Sequence, residues 1–307
     1  MSDTVITTMP NPVRASLVDN SADILGFAVE AAHHGGAALA TLVEIRGGAA
    51  RALGAHVAVA SDGRYCGYVS GGCVEAALAT EALQAIAEGR DRIVKFGEGS
   101  PFFDIALPCG GGITIAIHVL RDADVLKQAL RDLGTRRSVA LAYTPETQRL
   151  SRIERVPGRS GWRDTEFATV YRPVTRIVIS GQTGEAAAVW RLAQASGYDV
   201  EIVTSHSAVK ASALDGFTAV VLLHHDLDLE EDMLGKALTS PAFYIGALGS
   251  TRTHRRRIDR LKSIGTPSEA FDRIKAPIGL FGPTRDTTSL ALSVLSDIAA
   301  ARLETFG

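Results

Sequence analysis

Apolar positions along this chain recur with two periods, and the switches between them mark its elements. Over Ala22–His34, the residues Ile24, Leu25, Ala28, Ala31 and Ala32 share one face at helical spacing, and Gly35-Gly36 stop the run, which predicts a helix. Ala38–Ile45 is almost continuously apolar and predicts a strand. After the loop Arg46–Gly54, the segments His56–Ala60 and Tyr65–Ser70 predict a hairpin turned at Asp62-Gly63. Ser70-Gly71-Gly72-Cys73-Val74-Glu75 then leads into an Ala/Leu-rich helix ending near Glu88. Strands at Arg92–Phe96 and Ile113–Leu120 and a helix at Asp122–Leu133 follow. Residues 138–172 predict short strands with polar turns, one marked by Pro157-Gly158, and residues 1–16 predict a loose tail.

From Arg176 the pattern changes to short buried strands alternating with helices. Strands are predicted at Ile177–Ser180, Val200–Val203, Ala219–Leu223 and Ala242–Ile245, with a helix over Gly184–Ser196 after the first. Such alternation predicts a parallel, doubly wound sheet whose ligand site lies at the carboxyl ends of its strands. The expected fold class is therefore α/β: an N-terminal α+β domain over 17–172, then a C-terminal Rossmann-like doubly wound parallel sheet over 173–307.

The glycine fingerprint of a dinucleotide site is incomplete here. In Gly181-Gln182-Thr183-Gly184-Glu185-Ala186, Gly181 and Ala186 fit the first and third fingerprint positions. Thr183 puts a side chain where the backbone should approach a pyrophosphate, and Glu185 adds negative charge where phosphates would sit. Thr204-Ser205-His206 stands where a ribose-binding acid is expected. These changes argue against NAD(P), although an NAD(P)-dependent oxidoreductase stays as an alternative.

Charge and cysteine usage narrow the picture further. The 32 basic and 34 acidic residues give a net charge of -2, a balance that calls for neither nucleic acid nor a membrane surface as partner. Three cysteines, Cys66, Cys73 and Cys109, are too few and odd in number for a disulfide framework. No charged-then-apolar signal pattern is present, and the apolar windows are too short to span a bilayer, so a reducing cytoplasm is the expected location.

Two of the cysteines sit beside glycines. Cys73 follows Gly71-Gly72 at the expected start of a helix, where backbone N–H groups and the helix dipole favour an anion, either a bound phosphate or the thiolate itself. Cys109 precedes Gly110, Gly111 and Gly112, which could form a similar cradle. A lone cysteine is more often a small buried hydrophobe, and Gly-Gly before a helix is often only a tight turn. The shared context of the two favours a functional role, whereas Cys66 lies mid-strand and reads as structural. Without a C-x-x-C or a nearby histidine pair, no metal site is read. His224-His225-Asp226 reads as a loop at the carboxyl edge of the parallel sheet, facing a ligand cleft. Gly249, Ser250 and Arg252 follow a strand and open a helix, like a phosphate cradle with added donors, and Arg255–Arg257 read as a solvated basic face.

Four segments, in order, carry a family resemblance: Val69-Ser-Gly-Gly-Cys73-Val-Glu75, Leu107-Pro-Cys109-Gly-Gly111, Tyr244-Ile-Gly-Ala-Leu-Gly249-Ser-Thr-Arg-Thr-His254 and Ala276-Pro-Ile-Gly279-Leu. Together they resemble the xanthine dehydrogenase accessory protein family, XdhC/CoxI. The resemblance implies a chaperone rather than an enzyme. Such a protein binds the molybdenum cofactor, assists its sulfuration with a cysteine desulfurase, and hands it to an apo molybdenum hydroxylase such as xanthine dehydrogenase. A homodimer is implied too. Gly71, Gly72 and Cys73 would hold one end of the cofactor, with Cys109, Gly110 and Gly111 against it, and Gly249, Ser250 and Arg252 would hold phosphate. A protein–protein adaptor without ligand is the further alternative. Two turns differ from the family pattern. Gly47-Gly48-Ala49-Ala50-Arg51 stands where Gly-Ser-Ala-Pro-Arg is usual, and Gly181-Gln-Thr-Gly184 where Gly-Ala-Gly-His is frequent.

Overall fold

The chain divides between Pro173 and Val174 into two units. A computed structural model describes residues 9–98, 100, 110–203 and 213–307. In the first unit, β1 (Val13–Arg14), β2 (Ala37–Arg46), β3 (His56–Ala60), β4 (Arg64–Gly67), β5 (Arg92–Gly97) and β6 (Gly112–Val119) form one sheet, in the order β1-β4-β3-β2-β6-β5. Its helices are α1 (Ser21–His33), α2 (Glu75–Glu88) and α3 (Asp124–Gly134). The long apolar run of β2 is explained by burial on both faces. Ala38, Ala40 and Leu42 pack with Leu78 and Ala82 of α2, while Ala37 and Leu39 pack with Leu25 of α1 and Leu126 of α3.

The short strands expected over residues 138–172 are present. They form a four-stranded antiparallel sheet of β7 (Val139–Thr144), β8 (Arg149–Ile153), β9 (Gly161–Arg163) and β10 (Glu166–Tyr171), in the order β8-β7-β10-β9. Leu141 and Tyr171 of this sheet join the core on the α1 side of the larger one. A buried polar chain links the two sheets. His56 Nδ1 hydrogen-bonds Thr41 Oγ1 at 3.1 Å, and His56 Nε2 hydrogen-bonds the Tyr171 hydroxyl at 2.7 Å. Burial lowers the His56 pKa to about 4, so the ring is neutral.

Two boundaries differ from expectation. The tail is fastened at Val13–Arg14, which pairs in parallel with β4, because Val13 N donates to Gly63 O at 2.9 Å and Arg14 lies 4.4 Å from the Tyr68 ring centroid. The second hairpin arm ends at Gly67, short of Ser70, because the N–H groups of Val69 and Ser70 go to the Glu75 carboxylate.

The second unit holds β11 (Arg176–Ser180), α4 (Gly184–Ala195), β12 (Asp199–Val203), β13 (Thr218–Leu222), α5 (Leu227–Leu238), β14 (Tyr244–Ala247), α6 (Thr251–Ser263), β15 (Ile274–Lys275) and α7 (Thr287–Phe306). All five strands run parallel in the order β12-β11-β13-β14-β15. The fourth strand starts at Tyr244, two residues later than Ala242. Ile177 and Ile179 face Val189 of α4 and Val294 of α7, whereas Val178 and Val220 face Met233 of α5 and Leu261 of α6. The sheet is thus doubly wound, and its strand order reverses between β11 and β13, which is where ligands bind in such sheets.

Candidate functional site

The Gly71–Cys73 loop is held from inside by one carboxylate. Glu75, fully buried at the start of α2, accepts from Val69 N at 3.1 Å, Ser70 N at 2.8 Å, Val74 N at 3.3 Å and the Ser70 hydroxyl at 2.9 Å. Ser70 Oγ in turn accepts from Gly72 N and Cys73 N, each at 3.2 Å. Two expectations change as a result. The helix opens at Glu75 rather than at Cys73, and several N–H groups expected to face an anion are used within the loop. What the loop presents outward is the exposed thiol of Cys73 and the exposed backbone of Gly71 and Gly72. An added Cβ at Gly72 would meet nothing within 4 Å. Cys66, by contrast, is fully buried in β4, and burial pushes its thiol up to about 11.

Gly110 and Gly111 close a neighbouring corner, while Cys109 lies outside the described residues. Gly111 must be glycine, because a Cβ there would stand 2.4 Å from Arg46 O and 2.6 Å from Gly48 O. Gly110 is exposed, with open space beside it. Arg46 fastens this corner: its guanidinium donates to Thr114 Oγ1 at 2.7 Å, Glu44 Oε2 at 2.8 Å and Glu98 O at 3.2 Å. The hydrogen bond from Thr114, aided by Arg46, holds the Glu44 carboxyl below its usual range. The turn after β2 brings both glycine motifs together. Gly48 lies against Gly111, and Ala50 Cβ lies 4.0 Å from the Cβ position of Gly71.

Glu75 and Arg46 are the residues that the sequence reading passed over. Glu75 follows a glycine turn at the start of a helix, a place where a carboxylate stabilises the N-terminus. Glu44 and Arg46 interrupt the apolar run of β2 two residues apart, hence on one face of the strand.

In the second unit, Gly249 and Ser250 do meet at a helix start. Ser250 caps α6, accepting from Thr253 N at 3.2 Å, and a Cβ on Gly249 would fall 2.8 Å from the Thr253 side chain. Arg252 is exposed and does not line the adjacent cleft. Arg257 corrects the expected solvated face: it is 2% exposed, pairs with both oxygens of the buried Glu230 and donates to Leu248 O at 2.8 Å. Burial raises the Glu230 pKa, against the pull of Arg257.

The cleft measures about 1070 Å³ and opens at the carboxyl edge of the parallel sheet. Gly249 and Ser250 line one side, with Glu185 of α4 and His225 beyond β13. Thr183 caps α4 with its own hydroxyl, which accepts from Ala186 N at 3.3 Å. Glu185 is held below the usual carboxylate range by hydrogen bonds from its own N–H and from Thr183, and by His225, whose Nε2 is 3.6 Å away. His224 Nε2 hydrogen-bonds Ser180 Oγ at 2.8 Å across the point where the strand order reverses. Thr204-Ser205-His206 lies outside the described residues. Among the described residues, no group of three or more His, Cys, Asp or Glu side chains could hold a metal ion, and no helix is long and apolar enough to cross a membrane.

A glycine-bounded cysteine loop on an α+β unit, followed by a doubly wound parallel unit with a polar cleft, defines a two-unit α/β protein with two candidate ligand-binding faces. The chain belongs to the XdhC and CoxI family: the model of that family matches residues 31–97, and the XdhC Rossmann domain model matches 177–298. It is 50% identical over 293 residues to the molybdenum cofactor insertion chaperone PaoD of Escherichia coli K12, covering 95% of this chain and 92% of that protein. It is 24% identical to the uncharacterized protein YqeB of the same organism, over 85% of this chain but 42% of YqeB. A crystal structure described as a xanthine dehydrogenase from Bacillus halodurans shares the fold, with a TM-score of 0.73 at 19% identity, covering 93% of this chain and 96% of that one.

Proposed function

We propose that this protein binds the molybdenum cofactor and inserts it into an apo molybdenum hydroxylase of the xanthine dehydrogenase type, acting as a carrier rather than a catalyst. The observation that carries this reading is the 50% identity, over nearly the full length of both chains, to a molybdenum cofactor insertion chaperone. The chemistry of the first unit supports it. An exposed thiol suits a soft metal–sulfur centre, and the open glycine backbone beside it allows close approach of a bulky pterin. In this reading Gly71, Gly72 and Cys73 contact the cargo, Gly110 and Gly111 flank them, and Cys109 supplies a second thiol to it. Gly249 and Ser250 line the cleft of the second unit on the side that takes a phosphate, and the exposed Arg252, expected to join them, lies outside that lining. A cysteine desulfurase supplies sulfur to the bound cofactor, and the carrier works as a homodimer in the cytoplasm.

The test is retention of cofactor. The protein is mixed anaerobically with released molybdenum cofactor, desalted, and assayed for oxidised-pterin fluorescence. Wild type is expected to keep nearly one pterin per chain and Cys73→Ala to lose most of it. A folded wild type that keeps no pterin overturns the proposal, and full retention by Cys73→Ala removes Cys73 from the site.

A further inference from the structure

The cleft of the second unit carries an acceptor where a dinucleotide site would carry donors. At the start of α4, the place for phosphate, stands the Glu185 carboxylate, which lines the cleft with its side chain 26% exposed. Thr183 closes the same helix end with its hydroxyl. A phosphate placed there would meet a negative charge. Its own N–H and Thr183 already donate to this carboxylate and His225 Nε2 stands 3.6 Å away, so a ligand end that fits offers N–H donors to the lone pairs that remain, and two adjacent donors suit a carboxylate best because its oxygens accept side by side. Elsewhere the cleft has the opposite character. Lys275 and Arg285, both exposed, line it together with Ser250 and Thr251 at the start of α6. Lys275 Nζ is 3.7 Å from Asp297 Oδ1, and Arg285 directly precedes the α7 cap Asp286. Leu248, Ile278 and Leu290 supply apolar lining suited to a flat ring. The volume, about 1070 Å³, is at the upper end of what small-molecule sites use.

We propose that this cleft binds a 2-amino-4-oxopyrimidine ring bearing a phosphate, with Glu185 reading the ring's adjacent amino and N–H donors and the Lys275–Arg285 side taking the phosphate. That ring edge is shared by pterins and guanine. The pterin source rests on the cofactor-carrier reading above, whereas the edge chemistry rests on the cleft alone. A carboxylate facing two donors distinguishes this edge from one in which the amino group is replaced by a carbonyl, whose oxygen it repels.

The experiment is calorimetric titration of the full-length protein with neopterin phosphate and GMP. Each is compared with its 2-oxo counterpart, the corresponding lumazine phosphate and XMP, with AMP and CMP as further controls. Wild type is expected to prefer at least one amino compound over its 2-oxo counterpart by roughly tenfold or more, the usual discrimination of a bidentate pair. Preference among the two amino compounds then identifies the source as pterin or guanine. Glu185→Gln is expected to reduce the discrimination to near unity. If that variant fails to fold by circular dichroism, Glu185→Asp is expected to weaken the amino compound selectively. Absence of binding by wild type, equal binding of amino and 2-oxo compounds, tighter binding of AMP or CMP, or discrimination that survives Glu185→Gln overturns the proposal. Cofactor retention is measured on the same samples. Retention without cleft discrimination overturns this proposal alone, and discrimination without retention overturns the carrier reading alone.

Discussion

Glu75 shows how a single buried side chain shapes the cysteine loop. Its carboxylate accepts from three backbone N–H groups and the Ser70 hydroxyl, and Ser70 passes the constraint on to Gly72 and Cys73. Leaving those buried donors without an acceptor costs much more than the lost bonds are worth in water. Glu75→Ala is therefore expected to destabilise the protein by about 3 kcal/mol or more in urea unfolding. The opposite case is Cys73, whose exposed side chain contributes little to the core, so Cys73→Ala is expected to unfold close to wild type while losing the cofactor. Together the two substitutions separate the group that builds the loop from the group that the loop displays.

Among the elements, the junction of the two sheets of the first unit depends on protonation. Folding holds His56 neutral, with its pKa lowered to about 4 by burial from an ordinary value of 6.5. Between these values the unfolded chain binds a proton that the folded chain refuses. Stability from this group is thus fully present above pH 6.5 and is lost as pH falls toward 4. Urea unfolding at pH 7.5 and pH 4.5 is expected to show a loss about 2.5 kcal/mol larger for wild type than for His56→Gln, which lacks the titration. An equal loss in both proteins would remove His56 as the cause. Helix α6 teaches a related lesson. Its Arg255 and Arg256 are exposed as the charge run suggests, but Arg257 turns inward to Glu230, because the third residue of the run falls on the face packed against the sheet.

For the whole molecule, the division at Pro173 and Val174 separates units with their own cores. The parallel sheet is covered on both faces by helices of its own unit. A fragment spanning residues 174–307 is therefore expected to fold alone, giving an α/β circular dichroism spectrum and one cooperative thermal transition. A molten fragment with no transition would show that its core is completed elsewhere in the chain.

Periodicity made most of the second unit legible. Its strands are short apolar runs, its helices amphipathic, and a parallel sheet buried on both faces leaves no other pattern. The cysteine–glycine segments were also legible, since glycine beside a reactive residue is a local signal. The sequence alone did not determine who holds those segments. The Glu75 and Arg46 contacts, the inward turn of Arg257 and the small antiparallel sheet depend on partners brought together from up to 68 positions away, as with Arg46 and Thr114. Local pattern records which face of an element is apolar. Only the packed chain decides which buried polar atom meets which, because an unpaired one costs too much to leave behind.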